Sequence, residues 1–331
     1  MFANPMVIAL TITAVLTTAF ILYATGVGVH ILLFWDASSS SVRQLRLERR
    51  TFLVSSVMTH AIGVQVISFV LFVYTADRLH EFFTGAMCAA GTLNTNVYGY
   101  WTLGFKLAGF IAGSLWLIIH HVNGKAPDTP LIRIQYRWLC VVCALWCSET
   151  YFLLRYFFEL DPHVITSCCG TIFDANAEGF AAEMTHVSLA IIRPLFWGML
   201  ITTLLVGGFY VIRQRGDWLF ALLGTLLLPV SLVALISYLC LYFYELPTHH
   251  CPFCLLQKEY LYVGYLLYGS MFIGGIAATG VGMLKCFRIY CSLQAIVPAV
   301  QKRLCRVSLA GYVVFGLIAI FPMVFSDFRL L

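Results

Sequence analysis

Eight long runs of mostly apolar residues dominate the chain, at about 5–34, 51–76, 101–121, 138–160, 186–212, 218–244, 258–284 and 307–325. A helix needs roughly 20 such residues to cross the hydrocarbon of a bilayer. Hydrocarbon cannot hydrogen-bond a bare backbone, so each run is expected to be helical whatever its Val and Ile content. The 331 residues are 61% hydrophobic and only 11% charged, whereas a soluble domain carries about 25% charged residues. An ordinary soluble enzyme is therefore excluded. The expected fold class is all-α, a polytopic membrane bundle of about eight transmembrane helices forming a single integral membrane domain over 1–331. The first run lacks the basic leader and short apolar core of a secretory signal and reads as a retained helix. No appended soluble domain and no internal repeat are expected.

Charge sets the orientation. The loops after the first, third, fifth and seventh runs hold Arg43, Arg46, Arg49 and Arg50, then Lys125, Arg133 and Arg137, then Arg213 and Arg215, then Lys285, Arg288, Lys302, Arg303 and Arg306. These are fourteen of the 20 basic residues. The opposite loops and helix ends carry acids instead, among them Asp77, Glu81, Glu159, Asp161, Asp174, Glu178, Glu183 and Glu245. The positive-inside rule then makes the basic loops cytoplasmic and puts both termini outside. The same distribution explains the net charge of +5 without nucleic acid as a partner. The basic stretch from Cys286 to Arg306 mixes apolar residues with cations, which suits either an amphipathic helix along an anionic inner surface or a solvated loop.

Orientation sorts the 12 cysteines. Cys140, Cys143, Cys147 and Cys240 fall inside membrane runs and read as buried apolar side chains. Cys286, Cys291 and Cys305 fall on the reducing side and read as plain thiols. The remaining five are outside: Cys88 in the first outer loop, Cys168 and Cys169 in the second, Cys251 and Cys254 in the third. Every outer loop contributes, so an eight-helix bundle is able to gather all five above its outer surface. One outcome is two structural disulfides and a thiol; another is a single reactive or metal-binding cluster.

The sharpest segment is His249-His250-Cys251-Pro252-Phe253-Cys254-Leu255-Leu256-Gln257-Lys258, read as running straight into the seventh helix. A C-x-x-C at a helix N-terminus meets exposed N–H groups and the positive end of the dipole, which favours thiolate. Cys251 through Lys258 resembles the active-site signature of DsbB, the quinone-linked disulfide-generating membrane proteins, and more distantly is similar to the vitamin K epoxide reductase family. The resemblance covers about ten residues. It implies that Cys251 and Cys254 are a quinone-proximal pair exchanging with a second outer pair drawn from Cys168, Cys169 and Cys88. It also implies that Lys258 stands where the family has a quinone-contacting Arg. A bacterial inner membrane, with the cysteine loops on the periplasmic side, is the corresponding location.

Ionisable residues inside membrane helices are functional candidates. Lys106, Arg155, Arg193 and His186 fall in the outer parts of the third, fourth and fifth runs, with Glu149 nearer the middle. They are read either as a structural Glu-Arg network or as the lining of a quinone pocket near Lys258, Arg193 and Arg155. His30 and His60, in the inner parts of the first two helices, are candidate axial ligands of a b-type haem. His120 and His121 end the third helix on that side.

Three functions follow as expectations. The first is a thiol-disulfide oxidoreductase passing electrons from the outer thiols, or from a periplasmic thiol protein, to a membrane quinone. The second is an electron-transfer subunit of a membrane complex, with copper, zinc or an iron-sulfur cluster held by Cys88, Cys168, Cys169, Cys251 and Cys254 together with His249 or His250. The third is a structural or transport subunit whose outer loops are stapled by disulfides.

Overall fold

The computed structural model describes residues 4–36, 41–166, 188–326 and 328. Its eight long helices are α1 (Pro5–Phe34), α2 (Val42–Leu79), α3 (Tyr98–Asn123), α4 (Ile132–Phe158), α5 (Leu189–Arg213), α6 (Asp217–Tyr244), α7 (Val263–Lys285) and α8 (Ile296–Phe325). All eight are long and apolar enough to cross a membrane, and the described residues contain no strand. The protein is an all-α polytopic membrane bundle. Large apolar side chains such as Phe52, Ile67, Leu205 and Leu317 stand exposed on the helices, as expected where the solvent is lipid.

The chain divides into two compact units. The first comprises 1–82, 92–164 and 290–296, and the second 83–91, 165–289 and 297–331. The segment 83–91 belongs to the second unit although it lies between helices of the first.

In the first unit α4 packs on α1 and α3, and α1 also packs on α2. The pattern on α4 explains this: Tyr136, Leu139, Val142, Cys143, Trp146, Glu149, Leu153 and Tyr156 are buried, three or four residues apart on one helical face. Glu149 is tolerated there because it is fully partnered. Lys106 Nζ lies 2.7 Å from Glu149 Oε1 and 3.0 Å from Ser68 Oγ, and Gln65 Nε2 donates to Glu149 Oε2 at 2.7 Å. Of the intramembrane charges, it is thus Lys106 and Glu149 that pair.

In the second unit α6 packs on α5 and α7. Small residues let α7 and α8 approach closely: a Cβ on Gly311 would stand 2.7 Å from the Ser270 carbonyl, and Ser308 Oγ donates to Gly274 O at 2.7 Å. At the basic end, Asp217 takes Lys285 at 2.5 Å and Arg288 at 3.3 Å.

Helix α4 starts at Ile132, six residues before the hydropathy run, and three further starts differ by five residues or more. Helix α2 starts at Val42, where Ser41 accepts the Gln44 N–H, because Arg, Leu, Gln and Glu favour helix beyond the membrane surface. Helix α8 starts at Ile296, since Pro298 falls in the first turn, where proline is tolerated. Lys302, Arg303 and Arg306 are therefore helical, and two 3₁₀ turns, Cys286–Ile289 and Cys291–Leu293, precede that helix. Helix α7 starts only at Val263, which changes the reading of the thiol segment.

Candidate functional site

Helix α6 carries the first supports of the site. A π turn, Leu235–Leu239, interrupts it before Cys240–Tyr244, so the Cys240 N–H bonds to Leu235 O. The neighbouring Ile236 carbonyl then accepts from His250 Nδ1 at 2.8 Å. His250 is thereby an anchor between loop and helix. The helix ends at Glu245 in a left-handed conformation, with Pro247 just beyond, a usual way to stop a helix.

The loop that follows does not cap α7. Cys251 lies in irregular chain, Cys254 opens the 3₁₀ turn Cys254–Leu256, and a second turn covers Lys258–Tyr260. Leu261 and Tyr262, both left-handed, separate these turns from α7. The C-x-x-C is therefore removed from the dipole of that helix, contrary to the sequence expectation. It is held instead by side chains: the Tyr244 hydroxyl donates to Cys251 O at 2.6 Å and the Tyr268 hydroxyl to Pro252 O at 2.7 Å. A Cβ on Gly264 would stand 2.9 Å from the Leu255 carbonyl, so a glycine in the first turn of α7 admits this close approach.

The segment 83–91 completes the site. Gly85 has φ +88° and a Cβ there would fall 2.1 Å from Thr166 O, two reasons for glycine. Thr166 N–H donates to Thr84 O at 3.1 Å and Thr166 Oγ1 to Gly91 O at 2.9 Å, fastening the chain on both sides of Cys88. Gln257 Nε2 donates to Met87 O at 3.0 Å and ties the C-x-x-C loop to the same segment.

These supports bring Cys88, Cys251 and Cys254 together, with their three sulfurs within 4.8 Å of one another. Cys88 Sγ is 3.5 Å from Cys251 Sγ. All three are buried thiols. His249 Nε2 lies 3.4 Å from Cys254 Sγ, and its ring meets Tyr244 edge-on at 4.4 Å. That contact with Cys254 raises the His249 pKa above the usual histidine range, against the opposing effect of burial; the charge of Cys254 and then of Cys88 adds to the rise. Burial chiefly, with the charge of Cys254 behind it, pushes the Tyr260 hydroxyl up. Cys240 is also buried, within electrostatic reach of Cys251 and Cys254.

The other expected site residues separate. Cys168, Cys169 and His186 lie outside the described residues. Lys258 and Arg193 are exposed in the second unit. Arg155 belongs to the first unit, where it pairs with Glu159 and donates to the Tyr98 hydroxyl at 3.1 Å. His60 lines a cavity with Thr13, Leu16, Thr17 and Phe20 of α1, whereas His30 lies at least ten residues farther along that helix. At 1.5 Å per residue this is about 15 Å, so the two imidazoles are not brought together as haem ligands. Cys240, Tyr244 and Tyr268 were not picked out as site residues by the sequence, although the i,i+4 spacing of the first two on one helix face was visible.

Three mutually close sulfurs admit two kinds of chemistry. A thiolate 3.5 Å from a neighbouring sulfur is placed for exchange with a disulfide. Three thiolates and an adjacent imidazole also form a donor set for a soft metal. No family model matches the chain, and no curated protein or solved structure matches it.

Proposed function

We propose that the protein is a membrane thiol-disulfide oxidoreductase that passes electrons from outer-face thiols to a membrane quinone. On this reading the cysteine loops face the periplasm of a bacterial inner membrane. The supporting observation is the 3.5 Å approach of Cys88 Sγ to Cys251 Sγ beside Cys254. In the oxidised protein Cys251 and Cys254 share a disulfide. The Cys88 thiolate attacks Cys251 Sγ, the Cys88–Cys251 bond forms, the Cys251–Cys254 bond breaks, and Cys254 leaves as a thiolate. His249, whose Nε2 lies 3.4 Å from Cys254 Sγ, stabilises that leaving group as its charge develops. No electrons are gained or lost in this exchange.

A donor dithiol, either Cys168 with Cys169 or a periplasmic thiol protein, then reduces the mixed disulfide and takes over the oxidation. The reduced Cys251 and Cys254 give two electrons and two protons to the quinone, which leaves as quinol, and their disulfide is restored. Replacing Cys254 by Ser tests the order of these steps, because it removes the thiol that would reverse the exchange. The expected result is a Cys88–Cys251 disulfide recovered by acid quench and peptide mapping after mild oxidation. Recovery of Cys88 and Cys251 only as thiols would overturn the scheme.

One observation favours a second reading. His249 Nε2 at the Cys254 edge of the sulfur group makes a three-sulfur, one-nitrogen set suited to zinc or copper(I). Elemental analysis and a visible spectrum of purified protein separate the readings. Stoichiometric metal that protects all three thiols from alkylation would select the metal site, and a metal-free protein with reactive thiols the relay.

A further inference from the structure

The first unit contains a chamber with several polar side chains in its wall and an apolar groove, and the two share Ser56 and His60. The chamber, about 750 Å³, is lined by Glu48, Ser55, His60, His120, Asp128 and Gln135 among others. The groove, about 410 Å³, runs between α1 and α2 past Leu16, Phe20, Val57 and Val64. Both volumes fall in the range of small-molecule sites. A cavity with hydrogen-bonding groups in its wall, bordering an apolar groove at Ser56 and His60, fits a molecule with a hydrogen-bonding head and a hydrocarbon tail.

The hydrogen bonds define what the head must be. His60 Nδ1 lies 2.8 Å from Ser56 O, and a carbonyl only accepts, so Nδ1 carries a hydrogen and Nε2 is the acceptor of the corresponding neutral tautomer. For His120 the assignment runs along a chain of contacts. Leu131 N–H donates to Asn123 Oδ1 at 2.8 Å, which fixes that amide. Asn123 Nδ2 therefore donates to Gln135 Oε1 at 3.2 Å. Gln135 Nε2 then donates to His120 Nδ1 at 3.2 Å and to Ser55 Oγ at 3.4 Å. His120 Nδ1 is the acceptor, so its Nε2 carries a hydrogen to donate. The chamber thus offers one accepting and one donating imidazole. Its charged lining residues are Glu48 and Asp128, with no Lys or Arg among the described residues that line it. A phosphate head would meet two carboxylates and no cation.

We propose that the first unit binds an isoprenoid quinone or quinol, with the ring between His60 and His120 and the tail in the α1–α2 groove. A ring hydroxyl donates to His60 Nε2, and a ring oxygen accepts from His120 Nε2. The neutral head adds no second negative charge beside Glu48 and Asp128, and its tail fits the α1–α2 groove. This site lies in the first unit, apart from the thiols of the second, and does not rest on the thiol reading.

The test is equilibrium dialysis of the purified full-length protein in detergent against a decyl-tailed benzoquinone, a tailless dimethylbenzoquinone and phosphatidylglycerol. Saturable binding of the tailed quinone is expected, with a component of one per protein that is weakened about tenfold by His60→Ala or His120→Ala, the loss of about one net hydrogen bond. Val57→Trp, which fills the groove, weakens the tailed quinone and leaves the tailless ring unaffected. Equal uptake of the tailed quinone by wild type, His60→Ala and Val57→Trp would overturn the proposal, and so would displacement by phosphatidylglycerol at equal concentration.

Discussion

Replacing His249 by Gln removes the imidazole that the structure places against Cys254, Nε2 to Sγ at 3.4 Å. A hydrogen bond to a charged group contributes about 1.5 kcal/mol, and 1.36 kcal/mol corresponds to a factor of ten. The exchange from Cys251–Cys254 to Cys88–Cys251 is therefore expected to slow about tenfold near neutral pH. The pH profile carries the sign. The His249 pKa is raised in the reduced protein, first by its bond to Cys254, so the imidazolium favours the product thiolate, and that help is lost as the ring deprotonates with rising pH. The attacking Cys88 gains reactivity in the opposite direction, as its thiolate forms. Wild type should therefore give a bell-shaped profile, and His249→Gln should keep the rising limb but lose the falling one. The assay starts from oxidised protein, quenches the exchange with acid at intervals, and maps the two disulfides by mass. Unchanged rates and an unchanged profile in His249→Gln would refute the leaving-group role of His249.

Other expected outcomes follow from the same geometry. Glu149→Gln leaves Lys106 charged and buried without its counterion, which typically costs about 3–5 kcal/mol, read as a lower midpoint of unfolding in detergent; the double change Lys106→Met, Glu149→Leu should recover most of that loss. Gly85→Ala puts a Cβ against Thr166 O at a positive φ, which costs upwards of about 1 kcal/mol and should reduce the yield of Cys88–Cys251 trapping. Asp217→Asn removes the partner of both Lys285 and Arg288, and its destabilisation should be largely preserved in high salt because Asp217 is mostly buried.

The apolar runs announced the helices because hydrocarbon leaves the backbone no alternative, whereas their ends depend on local chemistry that hydropathy does not weigh. Helix α2 continues past the membrane run because Arg43–Arg50 are good helix formers with a serine cap. The gap before α7 was hidden because Leu261 and Tyr262 take left-handed backbone that neither residue type advertises. That gap removed the dipole argument for Cys251 and left His249 as the group placed to hold a thiolate. Charge-derived sidedness grouped Cys88 with the C-x-x-C as cysteines a bundle is able to gather, and the packing of 83–91 brings these three together. Which of two adjacent histidines would join them was not legible, since a π turn in α6 decides that by offering Ile236 O to His250. The pairing of Lys106 with Glu149 was foreshadowed by their presence in apolar runs, where an ionised group needs a counterion.

The central claim is that the buried thiols exchange electrons with a quinone. Anaerobic titration of fully reduced, metal-free protein with a water-soluble benzoquinone, with quinol and disulfide counted together, tests it most directly. The account predicts one quinol for each Cys251–Cys254 disulfide formed, and none above background in Cys251→Ser. Thiols that remain reduced in excess quinone, with no quinol formed, would contradict it.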